Sequence, residues 1–110
     1  MIFVFEVHLK PGYPAERYAE AWVEASRIIQ RAAGARGTRL HRRIGDPRVL
    51  LAIASWDSKA ERDAAEASRD PRVQAILDAQ AEHVEIRVVG EFEDPEWVAL
   101  PPDAAASERT

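Results

Sequence analysis

Cysteine is absent from this 110-residue sequence. Its absence removes disulfides, thiolate metal sites and a cysteine nucleophile together, and fits a reducing compartment. No apolar run approaches the roughly 20 residues that a membrane span needs. The opening segment, Met1 to Leu9, lacks a basic stretch and carries Glu6 among its apolar residues, so it reads as a strand and not as a signal peptide, with the cytoplasm as the expected location. Basic residues number 15 against 19 acidic ones and are scattered, which speaks against nucleic acid as a partner. There is no Gly-rich phosphate loop, no Gly-x-Ser-x-Gly elbow and no His-x-x-x-His pair, and the three histidines lie on separate segments. Neither a metal nor a cofactor is therefore expected, and no internal repeat is visible.

What remains is an ordinary globular balance, 46% hydrophobic and 31% charged, in a chain long enough for one core. Residues 2–9 are β-branched and aromatic and stop at Lys10-Pro11-Gly12, the chemistry of a strand followed by a turn. Pro14 suits a first helical position, and Tyr18, Trp22, Ala25, Ile29 and Ala32 recur at spacings of three and four. That stripe predicts a helix of about five turns, ended by Gly34 and Gly37. Alternation from Thr38 to Ile44 predicts a second strand, and Gly45-Asp46-Pro47 a turn into a third over residues 48–56. Because Val49 to Ala54 does not alternate, this strand should be covered on both faces, whereas a lone two-layer domain covers one. Ser58-Lys59-Ala60-Glu61 is a capping box, Asp70-Pro71 starts another helical piece, and Val84 to Phe92 reads as a last strand.

The resulting order is that of an α+β, ferredoxin-like βαββαβ sheet of four strands with helices on one face. Residues 1–92 form the expected domain. Residues 93–110 form a tail in which Trp97, Val98 and Leu100 should pack on something, a partner subunit being the candidate, and about ten final residues should be mobile.

Several of these features line up with a known family: the strand ending in Lys10-Pro11-Gly12, the strand after Gly37, Asp46-Pro47 ahead of a very apolar strand, Trp56-Asp57-Ser58-Lys59-Ala60-Glu61, and Ser68-Arg69-Asp70-Pro71-Arg72. Together they resemble the antibiotic-biosynthesis monooxygenase family of dimeric α+β barrels. The resemblance implies a homodimer with facing sheets and a small pocket between each sheet and its own helices. It also implies either cofactor-independent oxygenation of phenol or quinone-type substrates or, in other members, haem breakdown. Val7 and Ile76 stand where haem-degrading relatives carry Asn and His, so haem is not expected. Ala52 stands where oxygenases of aromatic polyketides carry Asn, which leaves the acid–base partners of that chemistry unmatched.

Trp56 could stack on an aromatic ligand or offer its indole N–H, or could plug the gap between sheet and helices. Tyr18 and Trp22 share the inward stripe; Tyr18 brings a hydroxyl that needs a partner if buried, while Trp22 fits plain packing. His8 follows Glu6 on one strand face, a pairing suited to proton transfer or to a subunit interface. Trp56, Tyr18 and His8 are thus the candidate catalytic residues, with Phe5, Val7, Trp22, Ala52 and Ile76 as candidate substrate-binding walls. His41 lies between Arg39 and Arg43, and His83 has no motif around it. Two functions compete: a cofactor-independent monooxygenase acting on a small aromatic or quinone-type substrate, and a non-catalytic dimeric module binding a small hydrophobic metabolite. An RNA-binding sheet of the same topology would need aromatic and basic residues where the third strand has Leu51, Ala52 and Ile53.

Overall fold

A computed structural model describes residues 1–102, which form β1 (Ile2–Leu9), α1 (Ala15–Ile29), β2 (Ala35–Arg42), β3 (Val49–Trp56), α2 (Lys59–Ala67), α3 (Pro71–Gln80) and β4 (Val84–Phe92). The sheet order is β2-β3-β1-β4 with every pairing antiparallel. This is the ferredoxin-like α+β arrangement that the order of elements implies. No helix among the described residues is long and apolar enough to cross a membrane.

Strand parity sorts the sheet into two faces. Phe5, Val7 and Leu9 pack with Tyr18 and Trp22 of α1, and the residues opposite them on β3, Ala52 and Leu50, share that face. The outer face carries Ile2, Val4, Glu6 and His8, opposite Ser55, Ile53, Leu51 and Val49. Leu51 and Ile53 are half-buried there. The cover predicted for both faces of β3 is supplied on the helix side by this chain; among the described residues α1, α2 and α3 all lie on that side.

Helix starts follow their caps. The Glu61 backbone N–H donates to the Ser58 hydroxyl at 3.1 Å, and the Arg72 N–H donates to Asp70 at 2.8 Å with Pro71 at the first position. The Arg72 guanidinium beside Asp70 holds its carboxyl down at about 2. Pro14 is the N-cap of α1 and not its first helical residue, since its ψ of 140° is extended.

Three expectations shift. Helix α1 ends at Ile29 and not at Ala32, where the Arg31 and Ala32 N–H groups turn to the carbonyls of Ile28 and Ile29, three residues back, at 3.1 and 3.0 Å. β2 begins at Ala35, and Gly37, with φ +100°, sits inside it where the register with β3 slips between Ala35 and Thr38. Glycine here marks a bulge in a strand. At the other end β2 stops at Arg42, and Ile44, expected to be the last residue of the strand, lies in the hairpin turn and is 99% exposed. The hairpin closes earlier because the Arg43 N–H already reaches the Val49 carbonyl at 2.9 Å.

β4 also carries a bulge. Phe5 pairs with Val88 but Val4 pairs with Gly90, so Val89 is surplus. Of this strand's apolar residues only Val84 is buried; Ile86 and Val88 lie opposite Val7 and Phe5 yet are exposed, so the helical layer stops short of this edge. In the tail Trp97 is 87% exposed, and Val98 and Leu100 are exposed too. Residues 103–110, on which the expected mobility falls, lie outside the described residues.

Of the glycines among the described residues, Gly34 has the least room for a side chain. Its φ is +85°, and a Cβ there would lie 2.7 Å from the Cβ of Glu61. Gly12 has a matching φ of +86° but open space around it. Both alanine variants should lose stability through the positive φ, by about 1 kcal/mol for Gly12→Ala, and Gly34→Ala should lose more because the start of α2 must also move. Urea denaturation of the two variants side by side separates the backbone effect from the clash.

Candidate functional site

Between the helix face of the sheet and the helices lies a cavity of about 280 Å³. β1 contributes Phe3 and Phe5, whose rings lie 5.7 Å apart, and β3 contributes Ala54 and Trp56. α1 adds Tyr18 and Trp22, and α3 adds Leu77. Small Ala54 between large neighbours leaves the space that the other side chains enclose. A second cleft of about 320 Å³ adjoins it, and the two share Ile29, Trp56, Arg62, Glu66 and Arg69.

Trp56 is fixed from both ends. Its backbone N–H donates to the Met1 carbonyl at 2.9 Å, and the next residue, Asp57, donates to the Gly34 carbonyl at 2.8 Å. The side chain is 5% exposed. Tyr18 is equally buried, and burial first, then the neighbouring Tyr13, pushes its hydroxyl up to about 12 from an ordinary value of 10. Among the described residues neither the Tyr18 hydroxyl nor the Trp56 indole N–H has a protein hydrogen-bond partner, and neither is sealed away as a buried, unsatisfied group. Both residues line the cavity, and each brings a group that can donate to a ligand oxygen. At neutral pH Tyr18 is protonated and acts as a donor.

The site thus brings together Trp56, Tyr18, Phe5 and Trp22 of the residues expected from the sequence. It leaves out four. Val7 and Ala52 lie on the correct face but deeper in the core, fully buried beyond the cavity's reach. Ile76 is one position off, the wall being made by Leu77. His8 faces the other side of the sheet, where its Nε2 lies 2.7 Å from Glu6, beside a separate polar cleft lined by Lys10, Asp46, Arg48 and Glu85. It cannot share a ligand with Tyr18. Phe3 was missed, although strand parity with Phe5 marks it, and so was Arg62, which the sequence presents as one charge among many on α2. His83 stacks on Tyr13 with ring centres 4.4 Å apart, and the Tyr13 hydroxyl donates to Gln80, closing the far end of the helical layer.

No protein-family model matches the chain, and no curated protein matches it. Solved structures do. SnoaB, a cofactor-independent oxygenase from Streptomyces nogalater, superposes with a TM-score of 0.66 at 17% identity, over 87% of this chain and 96% of its own. The chain has the fold of the antibiotic biosynthesis monooxygenases. A further structure described by that name gives a TM-score of 0.66 at 16% identity, covering 86% of this chain and all of the other. A conserved protein of unknown function from Bacteroides thetaiotaomicron gives 0.66 at 14%, covering 79% and 89%. At these identities the monooxygenase fold is what is shared, and side-chain roles must be argued from this chain's own cavity.

The Tyr18 shift has a measurable sign. Its folded value lies above the unfolded one, so the stabilisation is complete below about pH 10 and is lost as pH rises towards 12. In ultraviolet titration of tyrosinate, the Tyr18→Phe variant should lack the latest-ionising step, and its unfolding free energy should fall less steeply than that of the wild type over the same interval.

Proposed function

We propose that this protein is a cofactor-independent monooxygenase acting on a small aromatic or quinone-type substrate held in the cavity under Trp56. The observation that carries the reading is the Tyr18 hydroxyl, without a protein partner among the described residues, on the same wall as the aromatic side chains of Phe5, Trp22 and Trp56. A hydroquinone or anthrone would place its ring against Trp56 and Phe5 and one oxygen at Tyr18. As a protonated donor, Tyr18 would stabilise negative charge developing on that oxygen. The site supplies desolvation and orientation, and the substrate supplies the electrons: one oxygen atom of O₂ enters a ring carbon and the other leaves as water. The fold shared with SnoaB, itself described as a cofactor-independent oxygenase, agrees with this reading.

The competing reading is a non-catalytic module that binds a small hydrophobic metabolite. One observation favours it: among the described residues the cavity wall has no histidine, and its single carboxylate, Glu66, is engaged by Arg69 at 2.5 Å. Oxygen uptake with a panel of anthrones and hydroquinones separates the two. Turnover is expected with at least one of them, reduced about 10²-fold in Tyr18→Phe with the fold intact. Binding without oxygen uptake across the panel would leave the module.

The protein is further proposed to work as a cytoplasmic homodimer joined through the outer sheet face. Ile2, Val4, Leu51, Ile53 and Phe92 gather there, with Glu6, His8, Arg39, His41 and Arg87 around them. The His8–Glu6 pair then belongs to the interface. Burying a leucine-sized side chain is worth about 2 kcal/mol, so covering this patch repays association. Light scattering at micromolar concentration should report a dimer for the wild type and a monomer for Ile53→Glu.

A further inference from the structure

The walls of the two joined clefts carry a charge that runs against the rest of the chain. The sequence has a net charge of −4, yet Arg31, Arg62, Arg69 and Arg72 gather here against Glu66 and Asp70. Arg69 is taken by Glu66 at 2.5 Å and Arg72 by Asp70 at 2.8 Å, while Arg31 acts on Asp70 only at longer range. Arg62 is different. It lines both clefts, its side chain is only 20% exposed, and its guanidinium carbon sits 4.3 Å from the centre of the Phe3 ring, on the cavity wall. Its nearest acid, Asp63, lies 3.5 Å away and is itself held by Lys59 at 3.0 Å. A cation largely removed from water, fixed by an aromatic face and only weakly countered is an incomplete ion pair.

We propose that the cavity takes an aromatic carboxylate, its ring system against Trp56 and its carboxylate on Arg62. The inference rests on reading this cavity as the substrate site. A carboxylate fits better than a phosphate for two reasons. The guanidinium fork matches a planar, two-oxygen acceptor, and Glu66 on the same wall opposes a second negative charge. Arg62 then selects among aromatic molecules by charge, while Tyr18 meets an oxygen further along the ring.

Naphthoate and its neutral counterpart naphthamide make the test, read through the fluorescence of Trp22 and Trp56 in the full chain. The wild type should bind naphthoate at least about tenfold more tightly than naphthamide. Arg62→Gln should weaken naphthoate about tenfold and leave naphthamide within about twofold, which also shows that the variant is folded, and Arg62→Lys should recover part of the loss. Equal affinity of the wild type for the two ligands, or a preference that survives Arg62→Gln, would overturn the carboxylate assignment while leaving the aromatic cavity standing. Failure of both ligands to bind at millimolar concentration would remove the cavity as a substrate site, and this inference with it.

Discussion

Asp57 donates its backbone N–H to the carbonyl of Gly34, and that bond ties the end of β3 to the loop that follows α1. Much of the site depends on it. The bond fixes where the chain leaves the sheet, so Trp56 keeps the last position on the helix face and Ser58 the cap of α2. Glu61 then lies so close to Gly34 that no side chain fits between them. With the first turn of α2 pinned in this way, Arg62 and Glu66 fall at the cavity and not on the solvent side. A glycine and a serine cap, neither of which need touch a ligand, set the geometry for the residues that do.

The sequence made the elements and the faces legible, and it lost accuracy at the position along each face. Period-two alternation places Phe3, Phe5, Val7 and Leu9 on one side of β1 whatever the fold. Which of them meets a cavity depends on where the helices stop, and that is a matter of packing. The antiparallel register sets Phe3 opposite Ala54 and Val7 opposite Leu50, so the open space lies at the Trp56 end and Val7 is left in solid core. Ala52 fails for the same reason. Ile76 and Leu77 differ by one residue, about 100° around a helix, which is finer than a weak apolar stripe resolves. Arg62 was invisible because a charge on an amphipathic helix normally reads as its wetted face. Only the ring of Phe3 beneath it shows otherwise.

Apolar residues serve two separate ends in the sheet. On the helix side they enclose a hollow, and on the outer side they form a nearly flat row flanked by charges. The ion pairs of Arg42 with Glu16 and Lys59 with Glu91 bridge helices to edge strands, at surface sites where such pairs add little to stability.

The surplus residue in β4 bears on how this strand can change in length. A deletion within a paired stretch, at Ile86 for example, would turn the neighbouring side chains to the wrong face. Val89 is the exception, because it lies between the partner of Phe5 and the partner of Val4 and has no partner of its own. Losing it would straighten the strand and leave Gly90, Glu91 and Phe92 opposite the same residues as before. Over evolutionary time the bulge is therefore the place in β4 where one residue can come or go without exchanging its two surfaces.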